Sequence, residues 1–348
     1  MSNPAWAQTP GFRDPLSFED LHRAIEAVEL YGGVKVAAET LGWTEQKLQH
    51  RINTAREEGM FPPCAPRNLK PRPQSFGYKR HMFIPDTQTR PGAPTDHIGW
   101  IAQAIVDYKP DVIVVGGDHW DFPSLNGHSQ PGSAPLENQR FEADVEAGNI
   151  AFMNLCAPME AELARKGNRW NPRKVFTAGN HEDRADRVAS ADPKWMGHVG
   201  SHHCQVRDFE FHPFLERVWI DGICYSHYFQ NSHSKHAIGG SVDNRLNKIG
   251  ASFVQGHEQG FRYSTRITAS GHTWHGIVSG SCYLHIEDYR GRQGQRHWRG
   301  VQVLNEVKDG EFDIMPLSLN YLCRKYENKL LTDYMAEKYP AGDWTHLA

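Results

Sequence analysis

The chain has 348 residues and a mass of 39.5 kDa, which is enough for one large domain and a small one. Hydrophobic residues make up 39% and charged residues 23%, as in an ordinary globular protein, and no apolar run approaches the roughly 18 residues of a membrane span. The net charge of −3 excludes a polycation, so any contact with nucleic acid must come from local basic patches.

The cysteines and the N-terminus indicate a cellular compartment. The six cysteines form no CxxC pair and show no regular spacing, which is typical of free thiols in a reducing cytosol. The first residues, MSNPAWAQTPGF, lack the basic segment and apolar core of a signal peptide. We therefore expect a cytoplasmic protein without a membrane partner.

Residues 1–60 are predicted to form a small all-α domain. Apolar residues recur there at helical spacing, Gly32 and Gly33 end the first helix, a short second helix stops at Gly42, and Thr44 is a suitable N-cap for a third. The stretch LYGGVKVAAETLGWTEQKLQHRINTAREEG resembles the Fis-type helix-turn-helix. That resemblance implies a DNA-docking module, with Lys47 and Arg51 as candidate contacts. Residues 16–60 are net acidic, however, which counts against DNA binding by these helices alone.

Residues 61–76 are predicted to be a proline-rich linker, because proline stiffens the chain and blocks regular pairing. No acidic residue occurs between positions 61 and 80. Basic side chains in this linker suit a phosphate backbone, and the candidates are Arg67, Lys70 and Arg72.

A second basic segment, residues 289–299, interleaves arginines with aromatic residues. That composition suits phosphates and stacked bases, although a solvated hairpin is an equally good interpretation. The candidate contacts are Arg290, Arg292 and Arg296.

Residues 77–317 show the alternation of strands and helices that predicts an α/β sheet. Strands are predicted at residues 81–85, 111–115, 174–178, 222–225 and 252–255, with helices over residues 98–106 and 138–166. Further alternating strands follow residue 262, and residues 318–348 are predicted to be a C-terminal helix or tail. Ligands of such sheets bind at the strand ends.

Five motifs made of residues that bind metal ions lie at or after these predicted strands. They read Asp86-Thr87-Gln88, Gly117-Asp118-His119-Trp120-Asp121, Gly179-Asn180-His181-Glu182, Ser226-His227 and Gly256-His257-Glu258-Gln259. As an ordered set over about residues 80–290, they resemble the calcineurin-like metallophosphoesterase superfamily, whose pattern is DxH, GDxxD, GNH[DE], a lone His and GHxH. The resemblance implies a four-layer αββα sandwich beside the small all-α domain.

The resemblance also implies two divalent metal ions bridged by Asp118. One ion would take Asp86, Gln88, Asp118 and Gln259, and the other Asp118, Asn180, His227 and His257. Glutamine replaces the usual histidine at Gln88 and Gln259, so the first set offers oxygen alone and favours Mn²⁺ or Mg²⁺, whereas the second also suits Fe²⁺ or Zn²⁺. Mn²⁺ is the favoured ion for both, and weak occupancy of the first position is expected.

Two further residues are candidates for catalysis. The family pattern implies that His181 faces the scissile phosphate and protonates the leaving oxygen, and that Asp121 holds its ring. In the alternative interpretation Asp121 only caps the following turn. The arginine that phosphoprotein phosphatases carry directly after this aspartate is absent, because Phe122 occupies that position.

Three functions fit the sequence. The favoured one is a DNA nuclease or phosphodiesterase of repair or mobile-element type, by analogy with chains that join a helix-turn-helix to such an esterase. The second is a phosphomonoesterase or small-molecule phosphodiesterase, with the helices docking a protein partner. The third is a non-catalytic, DNA-binding scaffold. Exonuclease or endonuclease action and the oligomeric state stay open.

Overall fold

The computed structural model describes residues 18–31, 34–57, 77–127, 136–287 and 291–347. The chain divides into two compact units, Met1–Gln74 and Ser75–Ala348. Several basic residues predicted to contact DNA lie outside the described residues: Arg67, Lys70, Arg72, Arg290 and the side chain of Arg292.

The first unit contains three helices, α1 (Phe18–Tyr31), α2 (Val34–Leu41) and α3 (Glu45–Glu57). The Thr44 hydroxyl accepts a hydrogen bond of 3.1 Å from the Lys47 amide, which confirms the predicted N-cap. Gly42, with φ of 68°, ends α2 in the left-handed conformation typical of glycine after a helix. Small alanines let the helices approach closely around a core that includes Ala24, Ala37, Ala38, Leu48 and Ile52.

The second unit contains two mixed β-sheets. The first sheet has the strand order β11-β10-β1-β2-β3-β4, and the second has the order β5-β6-β7-β9-β8. Their bounds are β1 (Lys79–Ile84), β2 (Val112–Val115), β3 (Arg173–Thr177), β4 (Glu210–His212), β5 (Val218–Ile220), β6 (Ile223–Tyr225), β7 (Phe253–Gln255), β8 (Arg262–Ile267), β9 (Thr273–Val278), β10 (Gly300–Lys308) and β11 (Glu311–Ser318). Strands β1 to β4 run parallel, as do β6, β7 and β9.

Helices of the second unit are α4 (Asp96–Tyr108), α5 (Phe141–Leu163), α6 (Asn180–Ala191), α7 (Val242–Ile249), α8 (Leu319–Glu327) and α9 (Leu331–Lys338). The C-terminal stretch predicted as one helix is therefore two. Asn328, with φ of 54°, breaks it because an i to i−4 ladder cannot continue through a left-handed residue. The mixed α/β class expected from the sequence is confirmed.

Apolar side chains of the second unit pack in three layers. One cluster lies between the two sheets and joins residues such as Phe83 and Val114 to Tyr225 and Val254. A larger cluster lies between the first sheet and helices that include α4, α5, α8 and α9. A smaller one lies between the second sheet and α7, around Leu246. Two sheets face each other with helices outside, so loops from both sheets meet at one edge.

Candidate metal centre

The five motif loops leave parallel strands of both sheets at their carboxyl ends. Asp86 follows β1, Asp118 follows β2, Asn180 follows β3, His227 follows β6 and His257 follows β7. The loops surround a cavity of about 670 Å³. Predicted site residues that line it are Gln88, Asp118, Asp121, Asn180, His181, His257 and Gln259. Asp86 and His227 lie buried against them, so all nine residues predicted for metal binding and catalysis come together.

Four of the predicted ligand residues have a left-handed backbone. Their φ angles are 26° at Asp86, 40° at Gln88, 50° at Asp118 and 67° at His257. Non-glycine residues rarely adopt this region and do so at a cost in free energy, so such residues concentrate at functional sites.

Glycines of the motifs allow the loops to touch. A Cβ atom on Gly117 would collide with the backbone at Gly179 and Thr177, and one on Gly179 would collide with Asp118. Gly117 also has φ of 83°. The Gly-Asp and Gly-Asn pairs therefore let the β2 and β3 loops approach backbone to backbone.

Asp118 lies at the centre of the cluster. Its Oδ1 accepts a hydrogen bond of 2.9 Å from the His181 amide, and its Oδ2 lies 3.2 Å from Nε2 of His227. One ligand atom each from Asp118, His227 and His257 fall within 4.8 Å of one another. A carboxylate with two imidazoles at this separation is a donor set that fits a transition-metal ion.

The ring of His227 is oriented by a second hydrogen bond. Its Nδ1 lies 2.7 Å from the Gly116 carbonyl oxygen, which only accepts, so Nδ1 donates and Nε2 remains the ligand atom. Nε2 lies 3.0 Å from Oδ1 of Asn180. Burial by itself lowers the pKa of His227, but Asp118 and Asp86 outweigh it and raise that pKa to about 10.

Asp86 and Gln88 bring oxygen atoms to the same place. Both Asp86 carboxylate oxygens accept from the His257 amide, at 3.1 and 2.8 Å, and burial raises the pKa of this carboxyl well above its usual value. The side-chain oxygen of Gln88 is buried and has no hydrogen-bond partner among the described residues. A buried amide oxygen left unpaired costs free energy, and a bound cation would remove that cost.

His181 is held by Asp121 at one side of the cavity. Its Nδ1 lies 2.8 Å from the Asp121 carbonyl oxygen and 3.0 Å from the Asp121 carboxylate, while Nε2 is 3.8 Å from Oδ2 of Asp118. Burial lowers the pKa of His181, but Asp118 and Asp121 raise it overall to about 9. The expected pairing is present, so Asp121 does more than cap a turn.

Glu182 joins the two loops from beneath. Its buried carboxylate accepts four backbone amides: Asp118 at 2.9 Å, His119 at 2.7 Å, Trp120 at 3.1 Å and Gly179 at 2.7 Å. Sequence reasoning gave Glu182 no structural role. The motif letters could not reveal one, because three of its partners are backbone groups about 60 positions earlier.

A second group, also missed from the sequence, joins Asp121 to His285 and Glu287. His285 Nε2 lies 2.6 Å from Glu287. The Arg90 guanidinium lies 3.2 Å from Asp121 and 3.6 Å from Glu287. Arg90 already balances these carboxylates, so the group is better described as a support for Asp121 than as a further cation site.

Three basic residues predicted to contact DNA are among the described residues. Lys47 and Arg51 both stack over the Trp43 ring in the first unit, at 4.9 and 4.8 Å from its centroid. Arg296 is exposed and does not line the metal cavity. His272 and His275, which copy the last motif, also lie outside that cavity, and His275 instead contacts the Tyr263 hydroxyl.

The fold and this cluster define an α/β protein able to bind metal through buried histidine and aspartate side chains. Neither a protein-family model nor a curated protein matches the chain. Among solved structures it is similar to TT1561 of Thermus thermophilus, at 8% identity over 69% of this chain and 99% of that chain, with a TM-score of 0.27. A similarity of that degree says nothing about what this chain does. No helix in the described ranges has the length and apolarity to cross a membrane.

Proposed function

We propose that this protein is a metal-dependent phosphodiesterase that cleaves DNA, built on an αββα sandwich of the calcineurin-like type. The main support is the convergence of nine residues from five separated motifs on one cavity. The buried oxygen of Gln88, which has no hydrogen-bond partner among the described residues, also supports a bound cation.

The donor set fits two divalent ions that share Asp118. Asp86, Gln88 and Gln259 would complete one position, and Asn180, His227 and His257 the other. Bound there, such ions would neutralise the phosphate and lower the pKa of water to generate the nucleophile. The all-oxygen set favours Mn²⁺ or Mg²⁺, and the imidazoles also accept Fe²⁺ or Zn²⁺.

The protein's own groups then provide the proton and the orientation. Nδ1 of His181 donates to the Asp121 carbonyl at 2.8 Å, so the ring is fixed. His181 lines the cavity, so its other nitrogen can donate a proton to the leaving oxygen of an ester that enters.

Contacts between the arginines at the cavity and other protein groups favour a diester substrate over a monoester. Arg184 donates to the carbonyls of Asp121 and Phe122 at 3.2 and 3.1 Å, and Arg262 pairs with Glu258. Arg90 is held by Asp121 and Glu287. These guanidinium groups border the cavity, and carboxylates already pair with Arg90 and Arg262, which leaves less positive charge for a dianionic monoester than free arginines would provide.

A panel of metals and substrates tests this proposal. Mn²⁺, Mg²⁺, Fe²⁺ and Zn²⁺ are tested with single- and double-stranded DNA, RNA, an aryl phosphomonoester and bis(p-nitrophenyl) phosphate. We expect Mn²⁺-dependent cleavage of the diester and DNA that Asp118→Asn abolishes. The exposed Asp313→Asn serves as the control. Faster cleavage of the monoester than of the diester would favour a phosphatase. If none of the substrates is cleaved, a non-catalytic scaffold would be favoured.

Deletion of residues 1–76 tests separately whether the N-terminal helices and the linker bind DNA. The truncated protein should keep its activity on the small diester and bind DNA more weakly, with a smaller dependence on salt. Unchanged DNA affinity would show that the helices serve another partner.

A further inference from the structure

A second cavity, of about 550 Å³, lies on the outer face of the second sheet. Its lining includes Arg217, Trp219, Tyr228, Asn231, His233 and Lys248. None of these residues takes part in the candidate metal centre.

The cavity is accessible because it lies beside β5, at the edge of the second sheet. Strand β5 is the edge strand of its sheet, and its residues Val218 and Ile220 point into the core between the sheets. Trp219 therefore faces the opposite side, where it is 40% exposed. Helix α7 covers the middle of that face through Val242 and Leu246 but leaves Trp219 accessible.

The cavity is cationic. Arg217 and Lys248 are exposed and form no ion pair within the described part of the chain, and no described acidic residue lines the cavity. Nearby carboxylates are engaged by other groups: Glu216 by His212, Asp221 by Lys79 and His81, and Asp243 by Ser264. An anion that enters would meet unpaired positive charge beside an exposed indole.

The Tyr228 side chain connects this cavity to the metal centre. Tyr228 lines the second cavity, and its ring centroid lies 4.6 Å from that of His257, which lines the metal cavity. A chain of linked phosphates could pass over Tyr228 from one cavity to the other, whereas a small ester would fill only one of them.

We propose that the second cavity binds a neighbouring nucleotide of single-stranded DNA while the metal centre holds the scissile phosphate. Trp219 stacks on a base, and Arg217 and Lys248 contact its phosphate, the combination that single-strand binding sites use. This inference rests on the proposed function and specifies its substrate as a polynucleotide strand.

The test measures binding of a fluorescein-labelled thymidine hexanucleotide as a function of salt. In the double variant Arg217→Ala/Lys248→Ala the slope of log affinity against log salt should fall by about 0.7, since both cations contact one phosphate and each neutralised phosphate contributes about 0.7 for single strands. Trp219→Leu should weaken binding by about tenfold with an unchanged slope. Lys166→Ala/Arg169→Ala, which removes two exposed cations elsewhere, is the matched control and should change neither quantity.

Hydrolysis of bis(p-nitrophenyl) phosphate is measured in parallel on the wild type. If the Arg217/Lys248 variant keeps the affinity and the salt slope of the wild type, the proposal that the second cavity binds a nucleotide is wrong, whether or not the small ester is cleaved. Equal competition by polyglutamate would also overturn it, because the cavity would then accept any polyanion. If that variant has a lower affinity and a smaller salt slope but the wild type cleaves no ester, nucleotide binding by the second cavity is supported and the proposed phosphodiesterase activity is contradicted.

Discussion

At the scale of single residues, His181 is fixed through one nitrogen and faces the cavity with the other. Asp121 holds Nδ1 with both its carbonyl and its carboxylate oxygen, at 2.8 and 3.0 Å. Arg90 in turn contacts that carboxylate at 3.2 Å. An imidazole restrained in this way cannot rotate to exchange its two nitrogens, which is the arrangement that directed proton transfer requires.

Replacing His181 by Asn should lower kcat by about 10²- to 10⁴-fold for diesters with poor leaving groups. The loss should be much smaller for p-nitrophenyl esters, since p-nitrophenolate leaves without protonation. Mn²⁺ affinity, measured by calorimetry, should stay near the wild-type value. The exposed His198→Asn is the control. An equal loss for both kinds of ester would show that His181 positions the substrate rather than protonates it.

The motif residues of the cavity could be predicted from the sequence, but the arginines that border it and the contacts beneath it could not. Asp86, Asp118 and His257 belong to short motifs with a recognisable order. The support from Arg90, His285 and Glu287 has no such pattern, because these residues meet only through the fold. Likewise, the deep burial of His119 between Thr87 and the Gly148 carbonyl follows from packing against α5.

At the scale of elements, hydrogen bonds to Glu182 connect the loop after β2 to the start of α6. Its carboxylate accepts four amides and is fully buried. Burial and the nearby Asp118 raise the pKa of Glu182, while the four amides stabilise its charge.

Glu182→Gln should destabilise the protein by about 2–3 kcal/mol, because an amide supplies one acceptor oxygen and places an NH₂ group against backbone donors. The measurement is the free energy of unfolding in urea, with Glu146→Gln on the exposed face of α5 as the control. Metal affinity should fall as well, since Asp118 loses its support. Wild-type stability in Glu182→Gln would contradict this account of the loops.

Strands and helices with a clear apolar pattern were predicted well, and so were the three-residue strands β6 and β7 that precede the His227 and His257 motifs. The strand ending at Val115 and the helix around Ile101 lie within a few residues of their predicted positions. Strands β4 and β5 were missed because they have three residues each, too few for alternation to be visible, and no metal-ligand motif follows them. Helix α6 begins inside the Gly179 motif and was not predicted.

At the scale of the whole second unit, Asp221 links the two sheets. It lies in the turn between β5 and β6, and its carboxylate contacts Lys79 at 2.6 Å and His81 at 3.0 Å, both on β1 of the other sheet. Its carbonyl also accepts from Gly310 in the β10–β11 turn. Burial raises the pKa of Asp221, but the hydrogen bonds from His81 and Lys79 lower it to about 2.

Asp221→Asn should therefore lower the free energy of unfolding by about 2 kcal/mol at neutral pH. This value follows from the pKa of Asp221, which the fold lowers from 3.8 to about 2. A lowered carboxyl pKa stabilises the fold above the unfolded value and loses its effect as pH falls. The difference from wild type should thus shrink between about pH 4 and pH 2. Urea unfolding across this range, with Asp313→Asn as the control, checks the prediction. A difference independent of pH would rule out the charge as its cause.

The central proposal concerns the whole site: Asp118 would bind two cations among loops from both sheets. Calorimetric titration of metal-stripped protein with Mn²⁺ tests it most directly. We expect two ions per wild-type chain, the one at the Gln88 and Gln259 position bound more weakly, and the same for Asp313→Asn. Asp118→Asn should lose both binding events, because the proposed bridging carboxylate would serve both ions. Wild-type protein that binds no Mn²⁺, or Asp118→Asn that binds two ions as tightly as wild type, would contradict the account.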